Sequence, residues 1–311
     1  MKKFLHILSL LLVISGQSFS QAGAPANKLP KPGPHDEIII HAGYTLSFNK
    51  TYHIADWVAY ELTAEETVPV VLRNNHFVPD PLLSSCALSN ADYKGSGYDR
   101  GHLAPSADMC YSQLTMEESF YLSNMSPQRP GFNRGIWKKL EEQVRLWAVD
   151  DGEVYVVTGT VLKPGLPTIG PDEVTVPAYF YKVILNDHGP GLQGIAFLMP
   201  NEASQEPLQH YAVTIDSVEK LTGTNFFYRM PEGEQRNFES KIDLSRWSWP
   251  ATGRSNHHNL ADSNDNPNRV IQHQGNKRSI PVRCSAITGK GSECKKMTRS
   301  PNGKCWQHGG D

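Results

Sequence analysis

The stretch Gly97-Tyr98-Asp99-Arg100-Gly101-His102-Leu103-Ala104-Pro105 places an acid, a guanidinium, a hinge glycine and an imidazole at four consecutive positions. An imidazole with an ordinary pKa near 6.5 takes a proton from water at neutral pH. A guanidinium beside it offers a fixed fork of donors that suits a phosphate. Asn133 lies downstream, after the turn residues Pro130-Gly131 and Phe132. Beyond it, Ile136, Leu140, Val144 and Trp147 recur at helical spacing and predict one apolar stripe over residues 134–149. Asn133 therefore stands where a helix N-cap belongs. Its side-chain oxygen has two competing uses, capping the helix or ligating a hard cation such as Mg²⁺. Imidazole, guanidinium and a neutral oxygen ligand together equip metal-assisted cleavage of a phosphodiester.

Outward from this centre the chain reads as strands with helices inserted among them. Ile38-Ile39-Ile40, Tyr44 to Phe48, Val154 to Thr160, Val176 to Leu185 and Gly194 to Pro200 are β-branched or aromatic runs bounded by turn residues. They predict strands. Tyr52 to Leu62 fits a further strand or a short helix, and Met116 to Asn124 is open in the same way. Pro127 is expected to stop regular structure. Thr214 to Gly223 predicts a helix with a glycine stop. The class expected is α+β, with a central, mostly antiparallel sheet.

The chain has 311 residues, 39% hydrophobic and 20% charged, enough for a real core and not the composition of a disordered protein. Residues 1–20 carry two lysines, an apolar run from Phe4 to Ile14 and Ser18-Phe19-Ser20 before Gln21. That pattern predicts a secretory signal cleaved near Ser20/Gln21, and so a secreted or periplasmic protein. The run is too short for a membrane span. Residues 21–34, rich in proline, predict a flexible leader, and residues 35–250 the main domain. Residues 21–276 carry 20 basic and 30 acidic residues, net −10, whereas residues 277–311 carry eight basic and two acidic, net +6. An acidic body does not by itself grip a polyanion, so binding must come from local basic groups.

Three ordered motifs carry a resemblance. They are Asp99-Arg100-Gly101-His102, then Tyr121-Leu122-Ser123-Asn124-Met125-Ser126-Pro127-Gln128, then Phe132-Asn133 ahead of Trp137, Leu140 and Glu141. Together they resemble the DNA/RNA non-specific endonucleases, the ββα-metal (His-Me finger) nucleases that include secreted bacterial nucleases and mitochondrial endonuclease G. The resemblance spans about Tyr44 to about Tyr228 and favours strand for Tyr52 to Leu62. It implies DNA and RNA as substrates, His102 as the general base that activates water, and Asn133 as a ligand of Mg²⁺, with Mn²⁺ an alternative ion. It also implies that Glu141 supports the ion through its water shell and that Arg73, ahead of Phe77 and Asp80, contacts phosphate, with a 5′-phosphate product. By spacing alone Glu141 pairs equally well with Lys138 or Arg145. Arg100 is expected to bind or neutralise phosphate, Asp99 to orient the turn, and Arg134 to offer a further phosphate contact.

Residues 251–280 are rich in Asn, His, Ser and Asp without periodicity and read as a linker. Residues 281–311 hold Cys284, Cys294, Cys305 and His308, which predict a small Cys₃His module with a structural Zn²⁺. The rival is a disulfide with a free thiol, suited to an oxidising compartment. Cys86 and Cys110 remain as an even pair able to form a disulfide of their own. A second class of function is a nucleic-acid-binding protein working through the basic tail. A third is a metal-dependent phosphodiesterase on a small substrate. Oligomeric state and any protein inhibitor are not legible.

Overall fold

The computed structural model describes residues 24–34, 36–187 and 191–249, together with the strand pair Val282–Arg283 and Met297–Thr298. In chain order the elements are β1 (Glu37–Ile40), β2 (Thr45–Asn49), β3 (Ile54–Thr63), α1 (Asn90–Tyr93), β4 (Asp99–His102), α2 (Gln113–Ser119) and β5 (Met125–Gln128). They continue with α3 (Lys138–Asp151), β6 (Glu153–Thr160), β7 (Thr168–Ile169), β8 (Val174–Thr175), β9 (Tyr179–Asn186), β10 (Gln193–Pro200), β11 (Ala212–Val213), α4 (Ile215–Thr222) and α5 (Glu232–Glu239). Seven strands form one sheet in the order β1-β2-β3-β6-β9-β10-β11, every neighbouring pair antiparallel.

Strand periodicity sends alternate side chains to opposite faces, and each face is covered. Val58, Tyr60, Val154, Val156, Phe180, Ile184 and Phe197 pack with Leu140, Val144 and Trp147 of α3. Trp57, Ala59, Tyr155, Val157, Tyr181, Val183 and Leu185 pack on the other side with Ile215 and Val218 of α4 and Phe238 of α5. Each large apolar side chain buried this way contributes roughly 1.5–3 kcal/mol. The predicted helical stripe is the buried side of α3. Thr214 caps α4, accepting a hydrogen bond from the backbone of Ser217, and Gly223 ends it in the left-handed region at φ 74°. The domain closes on tryptophans. Trp247 and Trp249 lie 4.7 and 5.3 Å from Trp147, whose indole N–H donates to the Ser248 carbonyl at 2.7 Å.

Four expectations need correction. Residues 24–34 are not a loose leader: Ala24 and Lys28 are buried, Leu29 packs on the α4 side, and Lys28 pairs with Asp187 at 2.6 Å. The Lys31 N–H also donates to the Asn225 carbonyl at 2.8 Å, so backbone and side chains together tie the segment down. Pro127 does not stop structure but sits within β5, opposite Arg100. In a two-stranded ladder both strands are edges, where a missing N–H is tolerated. Met116 to Asn124 is divided, with α2 ending at Ser119 and a single 3₁₀ turn over Leu122–Asn124. Cys86 and Cys110 are free thiols, Cys110 donating to the Ala107 carbonyl at 2.9 Å. The expected signal at residues 1–20, the linker, and the ligand set Cys284, Cys294, Cys305 and His308 lie outside the described residues.

Candidate active site

β4 and β5 form a short antiparallel ribbon apart from the main sheet, pairing Asp99 with Gln128 and His102 with Met125. The ribbon leads into a wide turn, Phe132–Trp137, and then α3. Gly101 is required for the pairing. A Cβ there would fall 2.1 Å from Cδ of Gln128, whose side chain is fully buried.

His102, at the end of β4, is buried between Phe77, with ring centroids 5.8 Å apart, and Phe120, edge-on at 4.9 Å. Burial, and then the charges of Arg73 and Arg100, hold its pKa well below the ordinary 6.5. The ring is neutral at working pH. Its Nε2 is buried and has no hydrogen-bond partner. A neutral imidazole with an unengaged nitrogen has the protonation state a general base needs.

Both arginines are held rather than loose. Arg100 lies over the Phe77 ring at 4.2 Å and donates to Asn90 Oδ1 at 2.8 Å. Arg73 lies over Phe120 at 5.1 Å, donates to Asn75 Oδ1 at 2.7 Å and also bonds Ser106. The charge of Arg73 acts on both His102 and Glu141, which ties the loop before α1 to α3.

Asn133 is not the helix cap. Gly131 holds that position, and Asn133 lies inside the first turn, where the helix is wide and kinks at Gly135. Its amide nitrogen donates to Asp99 Oδ2 at 2.9 Å. This fixes the amide and leaves its oxygen as the remaining hard donor. Asp99 also takes both prongs of Arg134, Nε at 2.9 Å and Nη2 at 2.6 Å. Asp99 thus orients Asn133 and holds Arg134, whose side chain remains largely exposed. Carbonyl and carboxylate oxygens from Asn133 and Glu141 are donors that suit Mg²⁺ or Mn²⁺.

Glu141 is half-buried in a charged layer under α3, and burial raises its pKa against the pull of Lys182 and Arg145. Its spacing partner Arg145 instead pairs with Asp108 at 2.6 Å, and Tyr60 donates to the same carboxylate at 2.8 Å. Lys182 on β9 is fully buried, bonds Thr158 and lies 5.0 Å from the Trp137 ring. Lys182 and Asp108 were not picked out from sequence. One signal was available for the lysine, a single cation inside Phe180-Tyr181-Lys182-Val183-Ile184-Leu185. Asn124, also passed over, locks the strand after His102 by exchanging hydrogen bonds of 2.9 Å with the Ala104 backbone.

Comparison with known proteins places the chain in a family. The family model described as DNA/RNA non-specific endonuclease matches residues 22–233, well over half of the chain. Nuclease C1 of Cunninghamella echinulata var. echinulata is 38% identical over 219 residues, covering 64% of this chain and 86% of its own. A nuclease of Nostoc sp. is 34% identical, covering 71% and 84%. Mitochondrial endonuclease G of Bos taurus is 35% identical, covering 60% and 67%. A chain in the crystal structure of the EndoG/EndoGI complex superposes with a TM-score of 0.61 at 34% identity, covering 66% of this chain and 90% of its own. The chain belongs to the DNA/RNA non-specific endonuclease family and is a DNA/RNA endonuclease.

Proposed function

We propose that His102 is the general base and Asn133 the metal ligand of a Mg²⁺-dependent cleavage of DNA and RNA phosphodiesters, on a ββα-metal platform formed by β4, β5 and α3. The observation that carries this is the neutral His102 at the end of β4, packed between Phe77 and Phe120 and beside two guanidiniums. The neutral imidazole of His102 takes the proton from the attacking water. Arg73 and Arg100 hold the phosphate oxygens, each already oriented by an aromatic ring, so little side-chain freedom is lost on binding. Asp99 holds the Asn133 amide by its nitrogen, so that the oxygen would be left to ligate the ion, and holds Arg134, which would offer a further phosphate contact. Glu141 would support the ion through its water shell. When bound, Mg²⁺ stabilises the charge that develops on phosphate and leaving oxygen. These groups address only the backbone of a nucleic acid, which accounts for indifference to sequence.

We read residues 1–20 as an export signal; relatives include both bacterial and mitochondrial nucleases. We read Cys284, Cys294, Cys305 and His308 as a zinc site, which metal analysis of the purified chain checks directly.

The test of the enzyme is digestion of supercoiled plasmid and total RNA by the full chain with Mg²⁺, with EDTA, and by His102→Ala. Both substrates should be cut internally with Mg²⁺ alone. His102→Ala should lose about 10²–10⁴ in rate while melting like the parent. A His102→Ala protein that cuts at the parental rate rejects the mechanism.

A further inference from the structure

The segment that closes the fold carries a cluster that the active site does not use. Asp216 and Glu219 lie on α4 one turn apart, and Glu239 is the last residue of α5. One carboxylate oxygen from each lies within 4.8 Å of the other two. Glu239 is only 5% exposed, and its Oε1 is buried with no hydrogen-bond partner. The charges acting on Glu239 are those of Glu219 and Asp216, both negative; burial first, and then this repulsion, push its carboxyl up to about 8. The packing that forces the three together is specific. Gly194 of β10 has Ile215 Cδ1 2.7 Å and the Phe238 carbonyl 2.9 Å from where a Cβ would stand, so both helices press on one glycine.

We propose that Asp216, Glu219 and Glu239 bind a divalent cation of the Ca²⁺ class that ties α4 to α5. Oxygens that share one Ca²⁺ at 2.3–2.6 Å lie at most about 4.6–5.2 Å apart, and the three here fall within that limit. Glu219 keeps Oε1 on the backbone N–H of Phe226 at 2.7 Å, leaving its other oxygen for the ion. Asp216 and Glu219 are half-exposed, which gives the ion a path in and room for the waters that complete six to eight ligands.

The test uses the full chain carrying Asn133→Ala, so that the active-site ion does not contribute, stripped with EDTA and held at constant ionic strength. Calorimetric titration with CaCl₂ should show binding, and at about a hundredfold excess over Kd the melting temperature should rise by roughly 5–10 °C. MgCl₂ should do less. Adding Glu239→Gln should weaken Ca²⁺ binding at least tenfold and remove the rise. That variant should still fold, with an unchanged or higher melting temperature without Ca²⁺, because it removes a buried carboxylate with only like charges around it. Asp216→Asn, at a half-exposed position, provides a second reading. No response to Ca²⁺, an equal response to both ions, or a response that survives both substitutions overturns the proposal.

Discussion

Replacing Lys182 with methionine tests how Glu141 is kept ionised. Lys182 shares the α3 face of the sheet with Phe180 and Ile184 and is 0% exposed. Burial lowers its own pKa, and Glu141 and Asp108 oppose that. Lys182 is in turn the first of the charges that resist the upward push of burial on Glu141, ahead of Arg145. Methionine keeps most of the volume and removes the charge. Breaking a buried pair by deleting one partner costs about 3–5 kcal/mol, and Arg145 and Arg73 remain, so the lower end, about 3 kcal/mol, is expected. For a domain of this size that lowers the melting temperature by roughly 6–12 °C. The activity effect has a different signature. With Lys182 gone, Glu141 takes up its proton at higher pH, so less of it is ionised at pH 7. Loss of a group that supports a metal site costs about 10–100-fold in activity. The loss should be largest near neutrality and recede toward pH 9. Initial rates of plasmid nicking across this range, beside melts of the same samples, measure both. Lys182→Arg retains the charge and should keep the parental pH profile even where packing is strained. A Lys182→Met protein that is destabilised as expected yet shows the parental pH profile refutes the link between the lysine and Glu141.

Two further outcomes follow from buried contacts. His41 Nε2 lies 2.9 Å from Asp80 Oδ2, and although burial alone would lower its pKa, Asp80 and Glu118 raise it to about 9. A histidine raised above its unfolded value stabilises fully below about pH 6.5, by roughly 3 kcal/mol, and that stability is lost as pH rises through about 9. Urea midpoints should therefore fall between those values in the parent and change less in Asp80→Asn; parallel curves would reject the pair as their cause. Gly101→Ala drives a Cβ to within 2.1 Å of Gln128 Cδ, an overpacking worth about 1–3 kcal/mol. Gln128→Ala in the same chain should recover much of the loss in melting temperature, and a single Gly101→Ala variant as stable as the parent would show that β4 does not need its glycine.

Features set by neighbours along the chain were legible in the sequence. The strands from Val154, Val176 and Gly194, the stripe of α3 and the glycine stop of α4 all express local periodicity or local backbone freedom, and they stand within a few residues of where they were expected. Features set by partners far along the chain were not. Pro127 reads locally as a stop, yet it becomes a strand residue because β4 supplies the pairing. Residues 24–34 read as loose because their partners, Asp187 and Tyr155 for Lys28, lie more than a hundred residues away.

Asn133 shows the same division within one side chain. Its place ahead of an apolar stripe was visible, and so was the competition between capping and ligation for its oxygen. Asp99, 34 positions earlier, fixes the orientation of that amide by taking its nitrogen, and Gly131 takes the cap position. The same carboxylate holds Arg134, a contact that no spacing rule suggests because it joins a strand to a helix. Asp99 is therefore a positioning residue for both, and in the proposed mechanism the acid in Asp99-Arg100-Gly101-His102 acts through Asn133 while the imidazole meets the substrate.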